Sequence, residues 1–239
     1  MKDDSLDRLM TRAVDKVGGA TSKWFDGTRG FDGGGFVLPV DPTTGLTEPD
    51  VYPYCGTPAN LGRACLELLG HPWGRTFIDL GCGKGRMLAL AAEAGYRNCV
   101  GVELDSGLAS AATNNLACTR LRGVKRLGDV ASVHNLDARD FDFPDGPLSI
   151  YLNNPFAMPI LSVVLDRLGH SLSQTPRPVT IVLMRRVIED PENDSPTAEL
   201  LQSTPFLIGG RVPVGGPLSR FLQRGYATFR FHSPESPPN

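Results

Sequence analysis

Thr76-Phe77-Ile78-Asp79-Leu80-Gly81-Cys82-Gly83-Lys84-Gly85-Arg86 decides the fold: a strand-like apolar run ends on an acid, passes three glycines at alternate positions and opens a helix. Glycines without a Cβ let the chain turn sharply and approach a ligand closely, while the free N–H groups of the first helical turn point into the same space. A nucleotide-like cofactor is what such a turn accepts. The usual dinucleotide spacing, G-x-G-x-x-G, cradles an anionic pyrophosphate. Here the spacing is D-x-G-x-G-x-G, and a carboxylate at the strand end repels a pyrophosphate but receives an ammonium.

Eighteen positions beyond Gly85, Glu103 closes a second strand-like run, Cys99-Val100-Gly101-Val102-Glu103-Leu104. One carboxylate facing two ribose hydroxyls makes a bidentate, charge-assisted pair, a mark of adenosine cofactors in general. Taken singly, Asp79 could be a helix N-cap and Glu103 a solvated strand-end charge. Strand, glycine loop, helix, strand and acid in this order predict an adenosine-type cofactor. The two segments resemble motifs I and II of the class I S-adenosylmethionine-dependent methyltransferases. The resemblance implies that Gly81, Gly83 and Gly85 pass beneath S-adenosyl-L-methionine, that Asp79 holds its methionine end and that Glu103 takes its ribose.

The chain has 239 residues, 41% of them hydrophobic and 21% charged, which fits one globular domain with short extensions. A net charge of −2 argues against a strongly basic nucleic-acid surface, and the local patch Arg120-Leu121-Arg122-Gly123-Val124-Lys125-Arg126 reads as a solvated loop. The cysteines, Cys55, Cys65, Cys82, Cys99 and Cys118, form no C-x-x-C pair and the histidines are scattered. Neither a metal site nor a disulfide framework is indicated. The N-terminus carries acids where a signal peptide has bases, and no apolar run approaches the roughly 18 residues of a membrane helix. A soluble, cytoplasmic protein is expected, with no membrane partner.

Residues 1–57 predict an N-terminal cap or lid: a short helix over 5–17, then a glycine- and proline-rich stretch anchored by Trp24, Phe25, Phe31, Phe36, Tyr52 and Tyr54. Tyr54 reads equally as a residue closing over the methionine end of the cofactor or as a packing residue of the cap. The resemblance implies a class I methyltransferase domain over residues 58–232. This domain opens with an amphipathic helix marked by Leu61, Ala64, Cys65, Leu68 and Leu69. Five strands over 76–78, 99–104, 130–136, 148–152 and 179–184 alternate with helices over 84–94, 107–118 and 160–172. A short helix over 197–202 and strands over 206–208 and 226–231 follow, and 233–239 reads as a flexible tail. The fold class is α/β, and the resemblance implies a Rossmann-like, doubly wound sheet of seven strands with the last antiparallel and helices on both faces.

In an open α/β sheet, ligands bind beyond the carboxyl ends of the strands. After the third strand, Asp137 and Ala138 resemble the family's adenine-binding segment, an acid for the exocyclic amine beside an apolar contact. The other reading is a charged loop. After the fourth strand, Asn153-Asn154-Pro155-Phe156 resembles the [Asp/Asn/Ser]-Pro-Pro-[Tyr/Phe] motif of amino-group methyltransferases, with Asn154 in place of the first proline. The resemblance implies that Asn153 accepts a hydrogen bond from the target nitrogen and that Phe156 packs on the group carrying it, making these two the catalytic pair, with Asn153 counted among the cofactor-binding residues as well. A strand-ending turn with a buried phenylalanine is the alternative. From 20 to 185 the chain also resembles a group of bacterial methyltransferases with DLGxGKGR and YLxNPF motifs, and, in its loop and strand-two glutamate, non-SET lysine methyltransferases. If a base acts, Asp140, Asp142 or a cap tyrosine is a candidate. Arg86 reads equally as a surface charge or a pocket residue.

The reading is of an enzyme transferring methyl from S-adenosylmethionine to an acceptor, with nitrogen preferred. A small molecule leads as acceptor, protein lysine follows and nucleic acid comes third. Two rivals stand beside it, a methyltransferase-like scaffold without turnover and a nicotinamide-dependent oxidoreductase.

Overall fold

The computed structural model describes residues 4–38, 50–119, 121, 126–186, 196–213 and 226–234. In chain order the elements are α1 (Asp4–Arg29), β1 (Phe36–Val37), β2 (Tyr54–Cys55), α2 (Ala59–Leu69), β3 (Thr76–Leu80), α3 (Arg86–Ala94), β4 (Cys99–Glu103), α4 (Ser106–Cys118) and β5 (Ala131–Asn135). These are followed by β6 (Leu148–Leu152), α5 (Met158–Gln174), β7 (Val179–Arg186), α6 (Pro196–Ser203), β8 (Ile208–Arg211) and β9 (Tyr226–His232). Seven strands make one sheet in the order β5-β4-β3-β6-β7-β9-β8, with β9 antiparallel to both neighbours. This is the doubly wound sheet expected. β1 and β2 form a separate antiparallel ribbon.

Strand alternation divides the core into two layers. Phe77, Tyr151 and Val182 face Leu61, Leu66, Met87 and Leu88 of α2 and α3. Ile78, Leu80, Ile150 and Leu183 face Leu161, Val164 and Leu168 of α5. β3 is flanked by β4 on one side and β6 on the other, both parallel to it. The chain therefore winds away in opposite directions from the carboxyl end of β3, which opens a crevice there.

Some elements depart from expectation. α1 does not stop near Val17 but continues to Arg29 through Gly18 and Gly19. Gly18 lies against Pro58, where a Cβ would sit 3.0 Å from the proline Cβ, so close packing on the start of α2 offsets a poor helix former. Thr21 Oγ1 donates to Asn60 Oδ1 at 2.9 Å, and Ala59 N–H donates to Ser22 Oγ at 3.2 Å. Of the aromatic anchors, Phe25 and Phe31 are buried with ring centroids 5.8 Å apart. Trp24, Phe36 and Tyr52 are exposed instead, at 62%, 66% and 45%. The strand expected over 206–208 begins at Ile208, because Phe206 packs on Gly169 of α5. Ser233 is buried and paired with Val179 through both its N–H and its hydroxyl, which carries the sheet one residue past β9. Most of the basic patch, and 235–239 of the tail, lie outside the described residues. Among the described residues, no helix is long and apolar enough to cross a membrane.

Candidate active site

The glycine loop is held from both sides. Gly81 and Gly83 have φ of +77° and +52°, and each also lacks room for a side chain. A Cβ on Gly81 would meet Pro155 at 2.5 Å, and one on Gly83 the Tyr54 ring at 2.1 Å. Gly85, at φ +82°, caps α3 without a side-chain hydrogen bond. Gly81 N–H and Cys82 N–H both donate to Val102 O, at 2.9 and 3.0 Å, tying the loop to β4. Tyr54 donates to Gly33 O at 2.8 Å, and burial raises the phenol's pKa, so it stays protonated.

The acids converge on a cavity of about 470 Å³ whose lining includes Asp79, Gly81, Glu103, Asp137, Ala138 and Asn153. Asp79 is 3% exposed. Burial first, and the Glu103 charge second, lift its pKa from 3.8 to about 8. Among the described residues no donor reaches its carboxylate. Glu103 is also buried and raised, mainly by desolvation. Its Oε2 accepts from Gly83 N–H at 2.7 Å and its Oε1 from Asp105 N–H at 3.0 Å. Each oxygen keeps a lone pair for a further donor. Asp137 is differently placed: it caps a short 3-10 turn by accepting from Arg139 N–H at 2.8 Å, and it pairs with the Arg139 guanidinium at 2.6 Å. Hydrogen bonding to Arg139 holds this carboxyl below its ordinary range. Ala138 beside it is 9% exposed.

The turn after β6 forms the facing wall. Asn153 Nδ2 donates to Thr57 Oγ1 at 3.1 Å and approaches Cys55 O at 3.4 Å. Phe156 lines the cavity but is 5% exposed, and it bridges to Val51. Asn154 has φ of +45°, a conformation closed to proline, whose ring fixes φ near −65°. The asparagine at that position therefore follows from backbone geometry, and the turn differs from a Pro-Pro turn at this residue.

Of the two readings of Arg86, the pocket residue holds: it is 4% exposed and lines the cavity. The partners that fix it, and those of Lys84, are not marked in the sequence. Arg86 binds Asp26 of α1 through Nε at 3.1 Å and Nη2 at 2.7 Å, and donates to Thr57 O from Nη1 at 2.9 Å. Lys84 donates to Asp32 at 3.0 Å and Gly34 O at 2.8 Å. Asn115 of α4 exchanges hydrogen bonds with the Asp32 backbone and donates to Lys84 O. One signal was present: a cation at the start of α3 opposes the helix dipole, so Arg86 needed a specific partner.

Residues 78–154 match the family model described as a methyltransferase domain. The match covers about a third of the chain, from within β3 to the turn after β6. Among solved structures, a geranyl diphosphate C-methyltransferase from Streptomyces coelicolor is 11% identical over 74% of this chain and 78% of that one, with a TM-score of 0.51. A conserved hypothetical protein of Streptococcus pyogenes gives 14%, 73%, 96% and 0.51 in the same order. The structure of StiE O-MT residues 942–1257 gives 13%, 74%, 74% and 0.50. At these identities the likeness is one of fold. No curated protein matches the sequence significantly.

Proposed function

We propose that this methyltransferase holds S-adenosylmethionine between the glycine loop and the turn after β6, and that its acceptor atom is nitrogen. Asp79 carries the cofactor reading. A buried acid with no donor among the described residues, beside a second buried acid, is favoured in its ionised form by a cationic ligand, whereas a pyrophosphate brings no positive charge to offset the desolvation. That contrast separates a methionine ammonium from a nicotinamide dinucleotide. Glu103 offers its remaining lone pairs to a ribose. Asp137, already engaged by Arg139, has lone pairs left for an adenine amine, with Ala138 as the apolar flank. Tyr54 covers the loop at Gly83.

The bound sulfonium supplies an electrophilic methyl group, so the chain's own contribution is alignment and exclusion of water. Asn153 keeps Oδ1 for an acceptor N–H, and Phe156 offers the part of its ring that core packing leaves at the cavity. A small amine is the favoured acceptor, protein lysine the second and nucleic acid the third. A cytoplasmic setting belongs to the proposal and is supported by free thiols at Cys55 and Cys118 on the surface.

Calorimetry with S-adenosylmethionine and S-adenosylhomocysteine, against NADH, tests the cofactor. Micromolar binding, about 8 kcal/mol, is expected, weakened at least ~tenfold in Glu103→Ala by loss of a charge-assisted pair. Binding of NADH alone would establish an oxidoreductase instead. Tritiated methyl incorporation into small-molecule, protein and RNA fractions of a lysate then ranks the acceptors. Cofactor binding without incorporation into any fraction would leave a scaffold.

A further inference from the structure

Thr57 stands where the two halves of the site meet. It is buried at 6% exposure, just beyond β2. Its carbonyl takes Arg86 Nη1 at 2.9 Å, from the helix that continues the glycine loop. Its hydroxyl takes Asn153 Nδ2 at 3.1 Å, from the turn after β6, and lies 3.0 Å from the Tyr151 hydroxyl. Tyr151 in turn reaches Met184 Sδ at 3.7 Å.

The chemistry of these partners gives the chain a direction. A thioether sulfur has no proton to give, so Tyr151 donates to Met184 and receives from Thr57. Thr57 thereby uses its one proton inward and must accept from Asn153. The Cys55 carbonyl, which also can only accept, draws the amide nitrogen the same way. With the nitrogen committed twice, Asn153 is left with Oδ1 on the cavity lining and no partner for it among the described residues. Rotating the amide by half a turn would present N–H groups to an acceptor N–H, donor against donor.

We propose that Thr57 is a positioning residue for methyl transfer: its hydroxyl fixes the Asn153 amide with Oδ1 toward the acceptor, and its carbonyl ties that amide to the cofactor helix through Arg86. This role rests on Asn153 as the residue that receives the acceptor's N–H. Neither hydroxyl contact, to Asn153 or to Tyr151, can be made by the side chain of valine, which matches threonine in shape but neither donates nor accepts; the backbone carbonyl that takes Arg86 is the same in every variant. Serine retains both hydroxyl contacts.

The test uses the full chain with 15N-labelled asparagine, the Asn153 side-chain pair being assigned by its disappearance in Asn153→Ala. In the wild type and in Thr57→Ser, that pair is expected at a distinct, slowly exchanging position. In Thr57→Val it should move to the shift and exchange of a free amide, with S-adenosylhomocysteine binding retained as evidence of folding. Methyl transfer at saturating acceptor, in whichever lysate fraction the wild type labels, should fall about tenfold to a hundredfold in Thr57→Val and be largely restored in Thr57→Ser. Thr57→Ala carries the same comparison if the valine variant unfolds. An Asn153 pair that is unchanged in Thr57→Val, or a serine variant as impaired as valine, would overturn the role. If the wild type labels no fraction, the nitrogen-transfer reading falls, and the amide measurement still decides whether Thr57 fixes Asn153.

Discussion

Asp79 pairs across the sheet with Gly101 on one side and Tyr151 on the other, at the end of β3 and facing the α2–α3 layer. Burial there lifts its pKa from 3.8 to about 8. The folded chain holds a proton that the unfolded chain gives up, so the free protein's stability falls as pH climbs between those values and levels off above them. A bound ammonium reverses the preference by favouring the carboxylate. At pH 7 the free site is about nine-tenths protonated, so S-adenosylhomocysteine should displace on the order of one proton as it binds. Calorimetry in buffers of different ionisation enthalpy measures this count. Asp79→Asn should abolish it, flatten the stability profile and weaken binding at least tenfold, about 1.4 kcal/mol. Binding without proton release and with undiminished affinity in the variant would remove Asp79 from the methionine subsite.

Between elements, ion pairs of similar length do different amounts of work. Arg86 and Asp26 join α3 to α1 with side chains 4% and 16% exposed, whereas Lys84 and Asp32 are 16% and 72% exposed. Removing Arg86 leaves a carboxylate partly buried without its partner and takes the hydrogen bond from Thr57 O as well. Arg86→Gln should therefore cost about 3 kcal/mol. The water-screened pair should lose under about 1 kcal/mol in Lys84→Gln. Urea unfolding of both variants checks the ranking, and equal costs would show that α1 does not depend on this pair. Strands and helices with a clear period were legible in the sequence: β6 falls on 148–152 as read, and α3 and α4 lie within two residues of expectation at their ends. Where tertiary contact overrode local preference, reading failed. Gly18 looks like a helix stop until Pro58 is seen against it, and Phe206 looks like strand until it is seen on Gly169.

Across the whole molecule, the doubly wound sheet of seven strands with its last strand antiparallel came from the resemblance to known methyltransferases rather than from strand count, and the cofactor acids from residue type at the strand ends. What no periodicity carries is the union of the N-terminal segment with the site. It is made by single polar residues far apart in sequence: Asp26 with Arg86, Asp32 with Lys84 and Asn115, and Gly33 with Tyr54. Apolar packing continues the same union, since Phe25 and Phe31 belong to one buried cluster with Met87 and Leu90 of α3 and Tyr151 of β6. A segment built this way should open with the glycine loop rather than fray before it. In hydrogen exchange of the full chain, amides over 26–36 should exchange at rates within about tenfold of those over 79–94, because opening either breaks the same contacts. S-adenosylhomocysteine should slow both by a similar factor, although the first stretch contributes no lining residue to the cavity. Complete exchange over 26–36 within seconds, while 79–94 stays protected, would make the segment a separate lid rather than a support of the glycine loop.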